Sequence, residues 1–350
     1  MRCQPRLPWL GSCFSSLGCG KSGRTEFEGE LLFAPPARPR KGRRVKQAFV
    51  LGAGMGERLR PLTEQLPKPL VPVFHRPLIT YAFDHLHAVG VDRLVVNTHH
   101  LPDAYAQAFP DQRYRGTTIQ FRHESPVRLE TAGGIANVRD LLGNEPFLVY
   151  NGDILTDLPL NPLLTEHREN GNIVTLVLRS HGPSLHIAFD PRRGRVTDIR
   201  NKLGTGDEGK YLFTGIYACD PAIHDWITPG KVESVIPIFL NMIREGAKIG
   251  AVVIDEGSWW DLGSRTAYLA AHSALNGLYG PAIDPTAQIE DGAVLRGINV
   301  VGAGAVIESG AQLEDTIVWP GGRVVRGAQL KRCIVRGSIT AAGIVEDADF

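Results

Sequence analysis

The sequence predicts an α/β domain with a Rossmann-like, mostly parallel sheet, followed by a short left-handed parallel β-helix made of hexapeptide repeats. Two patterns of apolar residues in the 350-residue chain support this prediction. From Gln47 onward, short apolar runs alternate with segments of helical periodicity, which is typical of a parallel sheet covered by helices. After Gly280, apolar residues recur at every sixth position, which is typical of a parallel β-helix. We therefore divide the chain into a tail at residues 1–46, an α/β domain at 47–278 and a β-helix at 281–350.

The first 46 residues differ in composition from the rest of the chain. They hold ten Lys and Arg against three Glu, with many Pro, Gly and Ser and no apolar periodicity. We expect a disordered basic tail there. Its apolar stretches are too short for a signal-peptide core or a membrane span.

The remaining residues are mildly acidic, with 28 basic and 34 acidic side chains. They contain no basic patch of the kind that binds nucleic acid. The five cysteines of the chain lack the spacing of a metal-ligand pair or a disulfide framework. We therefore expect a cytoplasmic protein with no nucleic-acid or membrane partner.

Apolar runs and periodic segments define the elements of the α/β domain. The predicted strands are Ala48–Leu51, Arg93–Asn97, Thr118–Arg122, Phe147–Asn151 and Ile173–Leu178. The predicted helices are Leu78–Val89, Ala104–Phe109, Ala132–Leu142 and Leu163–Asn170. In the first helix, Ile79, Phe83 and Leu86 fall on one face, which we expect to pack on the sheet.

The six-residue repeat gives the β-helix its predicted apolar ladder. The repeat consists of Ile283, Ile289, Leu295, Val301, Ile307, Leu313, Trp319 and Val325. Cys333, Ile339 and Val345 continue the spacing in a frame shifted by two, which indicates a short insertion or an irregular final coil. About seventy residues would form roughly four triangular coils.

A glycine-rich loop follows the first predicted strand. Because glycine has no Cβ, such a loop exposes backbone N–H groups that can surround phosphate oxygens. Arg58 and Lys68 add positive charge nearby. The loop residues that we expect to bind a nucleotide are Leu51, Gly52, Ala53, Gly54, Met55 and Gly56.

Glycine-rich loops after a strand also occur in dinucleotide-binding folds and in purely structural turns. A dinucleotide-binding fingerprint needs a third glycine where this chain has Glu57, and Pro61 and Pro67 prevent a long helix from starting directly after the loop. A purely structural glycine turn is the second alternative. The adjoining Arg58 and the Pro67–Pro69 segment favour phosphate binding over both.

Two aspartates are candidate metal ligands. Asp153 follows a predicted strand, at the edge where open α/β sheets place ligands. Asp261 lies in a Gly-flanked aromatic turn. Carboxylates that converge from distant segments suit Mg²⁺ and leave room for phosphate and water. Each aspartate taken alone could also be a turn or cap residue, as we expect for Asp157.

Several motifs between Gln47 and Leu275 resemble those of the sugar-1-phosphate nucleotidyltransferase family. They are Gly52–Leu59 with Pro61–Thr63 and Pro67–Leu70, Leu129–Gly134, Asn151–Asp157, Phe213–Tyr217 and Trp260–Gly263. The resemblance implies that the glycine loop holds a nucleoside triphosphate, that Arg58 and Lys68 stabilise it, and that Mg²⁺ binds to Asp153 and Asp261. It also places Leu129–Gly134 beside the nucleobase. Catalytic roles are thereby implied for Arg58, Lys68 and Asp153, and nucleotide contacts for Glu130, Thr131 and Gly133.

The sugar-phosphate site departs from the family pattern. The family has a Glu-Lys-Pro segment ahead of its Gly-Ile-Tyr strand, whereas this chain has Arg200–Leu203, which keeps only the lysine. Lys202 is therefore the candidate phosphate ligand, and Gly215 would let the sugar ring approach the backbone. A solvated loop lysine and a simple strand glycine are the alternatives.

The sequence thus predicts an enzyme that joins a sugar 1-phosphate to a nucleoside triphosphate. The phosphate oxygen is already an anionic nucleophile, so no catalytic triad is expected. Mannose 1-phosphate with GTP is the preferred pair, because the β-helix resembles that of mannose-1-phosphate guanylyltransferases. N-acetylmuramate or glucose 1-phosphate with UTP or dTTP is the alternative.

Functions of different classes fit the sequence less well. A non-catalytic regulatory or sugar-nucleotide-sensing subunit is the first such alternative, and a nicotinamide oxidoreductase is more distant. For the β-helix we expect homo-oligomerisation or regulation, with a purely stabilising cap as the alternative. An acyltransferase activity is disfavoured because no histidine follows His272 to act as a base.

Overall fold

The computed structural model of the protein describes residues 44–337 and 340–350. Most of the predicted tail, residues 1–43, lies outside these ranges. The tail's last two residues pack on the α/β domain: Val45 is buried, and the Lys46 carbonyl accepts a hydrogen bond from the Asp92 amide. Cys219 and Cys333 are buried and free. Within the described ranges, no helix is both long and apolar enough to cross a membrane.

The α/β domain consists of strands connected by helices and short loops. Its strands are β1 (Gln47–Leu51), β2 (Pro72–Val73), β3 (Arg76–Pro77), β4 (Arg93–Thr98), β5 (Arg113–Tyr114), β6 (Thr117–His123), β7 (Phe147–Asn151), β8 (Ile154–Thr156), β9 (Val174–Arg179), β10 (Ile187–Asp190), β11 (Arg195–Ile199), β12 (Leu212–Cys219), β13 (Ile249–Val253) and β14 (Trp259–Asp261). Its α-helices are α1 (Ile79–Ala88), α2 (Pro102–Ala108), α3 (Glu130–Asn137), α4 (Arg139–Leu142), α5 (Asn161–Asn170), α6 (Val235–Arg244) and α7 (Arg265–Ala274). Single 3₁₀ turns cover Glu57–Leu59 and Lys68–Leu70, and a longer one covers Pro221–Trp226.

The central sheet has the strand order β13-β9-β12-β7-β1-β4-β6-β5. The predicted mostly parallel arrangement is confirmed, since only β12 and the edge strand β5 run antiparallel to their neighbours. Alternate residues of β1 enter the cores on the two faces, with Phe49 on one side and Ala48 and Val50 on the other. The chain leaves β1 toward β4 on one side and returns to β7 on the other. This reversal opens a crevice at the carboxyl ends of these strands.

The four predicted helices are present, one of them in two pieces, and α6 and α7 were not predicted. In α1, Ile79, Phe83 and Leu86 are buried against the sheet, as predicted. The single helix predicted at Ala132–Leu142 is instead divided into α3 and α4, and Val138 between them has φ −106° and ψ 8°. The break follows an Asn-Val pair, and both residue types have low helix propensity.

The C-terminal part is a parallel β-helix, as predicted. Its strands are β15 (Gln288–Ile289), β16 (Val294–Arg296), β17 (Val300–Val301), β18 (Val306–Ile307), β19 (Gln312–Glu314), β20 (Ile317–Val318), β21 (Arg323–Val324), β22 (Gln329–Lys331), β23 (Ile334–Val335), β24 (Thr340–Ala341) and β25 (Ile344–Glu346). They form three parallel ladders, β15-β18-β21-β24, β16-β19-β22-β25 and β17-β20-β23. Each coil buries its inward residues against the next coil.

The register of the lower coils differs from the predicted spacing of six. Val301 pairs with Val318 rather than Trp319, and Ile307 pairs with Val324 rather than Val325. The reason is a shorter corner, because two residues separate β19 from β20 where three separate β16 from β17.

The same short corner recurs in the next coil. Cys333 accordingly lies in a corner, and Val335 takes the ladder position beside Val318. Val345 pairs with Leu330 in the ladder. Ile339, the remaining predicted ladder residue, lies outside the described ranges.

Candidate active site

A cavity of about 480 Å³ lies at the carboxyl ends of β1, β4 and β7. Open α/β sheets place their ligands at this edge. The residues that line the cavity are Leu51, Ala53, Gly54, Met55, Gly56, Glu57, Arg58, Lys68, Pro69, Asn97, Glu124, Arg128, Glu130, Thr131, Asn151, Asp153 and Gly263. Most of the predicted nucleotide-binding residues are therefore in one place.

The glycine loop is fixed at its base by neighbouring elements. The Gly52 amide donates to Asn97 Oδ1 at 2.8 Å, and the Tyr105 hydroxyl donates to the Gly52 carbonyl at 2.8 Å. Burial raises the pKa of the Tyr105 hydroxyl far above its usual value, so it stays protonated and continues to donate. Because the Gly52 amide already donates to Asn97, we expect the amides from Ala53 onward to donate to phosphate.

Glycine is required at the far end of this loop for steric reasons. Gly56 has φ +64°, and a Cβ there would lie 2.8 Å from Thr63 Cγ2. The Thr63 hydroxyl closes the turn by donating to the Gly56 carbonyl at 2.8 Å. At Gly54, by contrast, a Cβ would meet nothing within 4 Å, so this residue borders open space in the cavity.

Lys68 joins the two predicted metal ligands. Its Nζ donates to Asp153 Oδ2 at 2.8 Å and to Asp261 Oδ1 at 3.1 Å. Arg58 Nη2 lies 3.6 Å from Asp261 Oδ2 on the exposed side of the site. The Lys68 side chain is only 6% exposed, so two carboxylates stabilise a cation that has little contact with water.

The chain brings these distant aspartates together through a small two-stranded sheet. Asp153 lies between β7 and β8, and β14 pairs antiparallel with β8 so that Asp261 is opposite Ile154. The next glycine, Gly263, lies so close to the cluster that a Cβ there would be 2.7 Å from Arg58 Nη2. Backbone pairing therefore sets the distance between the two carboxylates.

The carboxylate pair fits the coordination chemistry of Mg²⁺. The two aspartate oxygens nearest Lys68 bind the same nitrogen at about 3 Å, so they are close enough to share one cation. Mg²⁺ in nucleotide sites is typically held by one or two carboxylates together with phosphate and water. Among the described residues, no group of three or more His, Cys, Asp or Glu side chains could hold a metal ion, so at this site phosphate and water would have to complete the coordination of the cation.

The start of α3 forms another wall of the cavity. Glu130 has φ +62°, which is uncommon for a residue other than glycine, and its carboxylate forms an ion pair with Arg128. Thr131 Oγ1 accepts a hydrogen bond from the Val235 amide at 2.7 Å. Gly133 lies behind this wall, where a Cβ would be 2.4 Å from the Lys231 carbonyl. Gly133 therefore serves close packing of the chain rather than lining the cavity.

The two predicted sugar-phosphate residues lie in different surroundings. Gly215 has φ +83°, and a Cβ there would be 2.4 Å from Nδ2 of the cavity-lining Asn151. Lys202 is exposed and is not among the residues that line the cavity. Its loop is held by the buried Asp198 carboxylate, which accepts a hydrogen bond from the Leu203 amide at 3.1 Å.

The structure adds cavity residues that sequence reasoning missed. Asn97 and Asn151 lie at the carboxyl ends of β4 and β7, and this position was a usable signal. Glu124 and Arg128 gave no such signal, because they lie in an irregular segment. The buried Glu124 carboxylate accepts hydrogen bonds from Asn97 Nδ2 at 2.7 Å and from the Leu129 amide at 2.8 Å. It thereby connects the base of the glycine loop to the start of α3.

Comparison with known proteins identifies the family. The sequence profile described as Nucleotidyl transferase matches residues 47–277. A mannose-1-phosphate guanylyltransferase from Mycobacterium tuberculosis is 32% identical over 81% of this chain and 83% of its own length. An N-acetylmuramate alpha-1-phosphate uridylyltransferase from Neisseria meningitidis is 33% identical over 62% of this chain and 93% of its own length.

A solved structure shares the fold. The inositol-1-phosphate CTP transferase from T. maritima aligns with a TM-score of 0.55 and 19% identity, over 65% of this chain and 93% of that protein. With the profile match and the two relatives, the conclusion is that the chain belongs to the sugar-1-phosphate nucleotidyltransferase family.

Proposed function

We propose that the protein condenses mannose 1-phosphate with GTP, releasing pyrophosphate and forming GDP-mannose. The observation that supports nucleotidyl transfer is the cluster of Lys68, Asp153 and Asp261 at the rim of the glycine loop. Lys68 and Asp153 line the cavity beside the phosphate-binding backbone, and Lys68 ties Asp261 to them. These groups support an active enzyme over a silent sensing subunit, because sensing alone does not need the carboxylates.

In this proposal, an oxygen of the sugar phosphate attacks the α-phosphorus of the nucleotide in line with the departing pyrophosphate. The bond between the α-phosphorus and the bridging oxygen breaks as the new bond forms. The amides of Ala53–Gly56 hold the triphosphate, and Arg58 and Lys68 oppose its charge. Glu130 and Thr131 would face the nucleobase side of the cavity, while Lys202 and Gly215 would serve the sugar phosphate.

Mg²⁺ would be held by Asp153 and Asp261. When bound, it supplies positive charge to the reacting phosphates. No side chain of this site has to remove a proton from the nucleophile, since the sugar phosphate is already anionic. The protein therefore contributes by positioning the two substrates and by supplying positive charge to their phosphates.

The choice of mannose and GTP rests on identity and coverage taken together. The guanylyltransferase from Mycobacterium tuberculosis is 32% identical over 81% of this chain, whereas the uridylyltransferase from Neisseria meningitidis covers only 62% of it and a UTP–glucose-1-phosphate uridylyltransferase from Synechocystis covers 83% at 26% identity. The second candidate, a uridylyltransferase acting on N-acetylmuramate 1-phosphate, is favoured by the Leu129–Gly134 segment. Its Glu130 keeps a strained backbone conformation at the cavity wall.

A substrate panel tests this proposal. Pyrophosphate release would be measured with Mg²⁺ for GTP, UTP, ATP and dTTP, each with the 1-phosphates of mannose, glucose, N-acetylglucosamine and N-acetylmuramic acid. We expect kcat/KM for GTP with mannose 1-phosphate to exceed every other pair by at least about tenfold, which corresponds to roughly 1.4 kcal/mol of differential transition-state binding.

Other outcomes of the panel would replace the proposed substrates. A preference for UTP with N-acetylmuramate 1-phosphate would favour the second candidate, and a preference for any other pair, such as glucose 1-phosphate with UTP or dTTP, would assign that pair instead. Release of pyrophosphate without any sugar phosphate would indicate hydrolysis of the nucleotide. No release with any pair would reject nucleotidyl transfer to these four sugar phosphates.

A further inference from the structure

The β-helix contacts the segment that connects the two cationic residues of the site. Arg336, directly after β23, donates from Nη1 to the Pro61 carbonyl at 2.9 Å. The same nitrogen lies 4.0 Å from Glu64 Oε2. Pro61 and Glu64 both belong to the stretch between Arg58 and Lys68. A guanidinium of the β-helix thus binds the backbone of the segment that follows the glycine loop.

Arg336 is itself held in one orientation. Its Nε donates to the Phe350 carbonyl at 2.7 Å, and its backbone amide donates to the same oxygen at 3.1 Å. The Phe350 amide in turn donates to the Ile334 carbonyl at 2.9 Å. The Arg336 side chain is 13% exposed. Because a neighbouring coil already fixes the planar guanidinium, the hydrogen bond to Pro61 costs little additional side-chain conformational entropy.

Arg58 depends on the backbone that Arg336 holds. The Arg58 side chain is 76% exposed, and its 3.6 Å ion pair with Asp261 is long. Exposed ion pairs of this kind add little positional order. The position of Arg58 is therefore set mainly by the loop backbone. On the other side of that loop, His100 Nε2 lies 3.0 Å from the Thr63 carbonyl.

A second contact connects the β-helix to the segment after Lys68. The Trp319 indole N–H donates to the Tyr268 hydroxyl at 3.0 Å, and that hydroxyl donates to the Pro72 carbonyl. Pro72 begins β2, four residues beyond Lys68. β-helix side chains thus hold the Arg58–Pro72 segment at two places, directly at Pro61 and through α7 at Pro72.

We propose that Arg336 is a positioning residue through which the β-helix orders the Glu57–Leu66 stretch, which directly follows the glycine loop and carries Arg58. This inference rests on the proposed function, because it assigns the ordered loop to nucleoside triphosphate binding. It gives the β-helix a part in catalysis that is separate from any role in oligomerisation. Loss of Arg336 should disorder the Glu57–Leu66 stretch while the metal-binding aspartates remain in place.

The test compares three variants of the full chain. Arg336→Met removes both side-chain hydrogen bonds at similar length, and Arg336→Lys keeps the charge and one donor. Arg323→Met is the matched control, because Arg323 pairs with Glu308 inside the β-helix at 2.5 Å. Steady-state kcat and KM for the triphosphate would be measured at saturating sugar 1-phosphate. Hydrogen exchange would be followed in the peptide that spans residues 57–66.

We expect Arg336→Met to lower kcat/KM for the triphosphate about tenfold, mainly through KM, the order expected for loss of a hydrogen bond from a charged donor. Exchange in the 57–66 peptide should become faster, Arg336→Lys should recover part of both effects, and Arg323→Met should match wild type.

A lower melting temperature with unchanged kinetics and exchange would overturn the proposal. If Arg336→Met does not fold, wild-type values in Arg336→Lys would overturn it. An inactive wild-type enzyme would instead reject the proposed function, and the exchange data would still test the contact.

Discussion

Asp153→Asn should lower turnover at least a hundredfold while the fold is retained. Asparagine has nearly the same shape and keeps an oxygen for the Lys68 ammonium, but it lacks the negative charge that would hold Mg²⁺. Loss of one electrostatic group that acts on a transferring phosphoryl costs about 3 to 4 kcal/mol of barrier. Since each 1.4 kcal/mol is about tenfold in rate, the expected loss is at least two orders of magnitude.

The measurement is pyrophosphate release at saturating substrates, with circular dichroism as the check on folding. Asp140→Asn is a matched control, because Asp140 is 66% exposed on α4 and pairs with Arg122 on the surface. The control should turn over at the wild-type rate. Turnover of Asp153→Asn within a fewfold of wild type would exclude Asp153 as a metal ligand.

Lys68→Met should reduce kcat/KM for the triphosphate by about a hundredfold. We expect the buried Lys68 ammonium to stabilise the negative charge of the phosphates, and methionine replaces it by an apolar chain of similar length. Its removal also leaves Asp153 and Asp261 without their shared partner, so only the exposed Arg58, 3.6 Å from Asp261, offsets their repulsion until a metal binds. The variant should therefore need more Mg²⁺ for stability than wild type does.

A magnesium series separates the two roles of Lys68. If Lys68 acts on the nucleotide, the loss of kcat/KM will persist at saturating Mg²⁺. Full recovery of activity at high Mg²⁺ would show that Lys68 only compensates the aspartates. Lys46→Met is the control, because Lys46 is exposed and pairs with Asp92 at 3.9 Å, away from the cavity.

The sequence predicted the fold well where local signals agree with burial. The parallel strands β1, β4 and β7 are continuous apolar runs, since both of their faces are covered, and their bounds were found to within one residue. The antiparallel strand β12 was not found from its apolar pattern, and only the family resemblance indicated a strand at Gly215–Tyr217. Its Gly215 has a positive φ within an irregular stretch of pairing, and neither feature follows from apolar spacing.

The β-helix shows a different limit of sequence reasoning. The repeat identified the architecture, but the length of a corner decides which residues face inward. Asp315 turns the shorter corner with φ +48°, and its carboxylate accepts a hydrogen bond from the Ile298 amide of the coil above. Trp319 is buried for another reason, because it contacts Tyr268 of the α/β domain.

Arg58, Lys68, Asp153 and Asp261 were all candidates from sequence, and the structure places them side by side. Their geometry could not be predicted, because the pairing of β14 with β8 brings Asp261 to Asp153 across more than a hundred residues. Asn97 and Glu124 were missed for a related reason. Their importance comes from hydrogen bonds to the glycine loop and to α3 that only the folded chain creates.

A crystal structure with Mn²⁺ and a triphosphate whose α–β bridging oxygen is replaced by carbon tests the central claim most directly. The anomalous signal of Mn²⁺ locates the cation independently of the protein coordinates. We predict a single strong peak bound by the Asp153 and Asp261 carboxylates, with the triphosphate on the amides of Ala53–Gly56 and beside Lys68. A cation distant from both aspartates, or a nucleotide bound outside this cavity, would contradict the account.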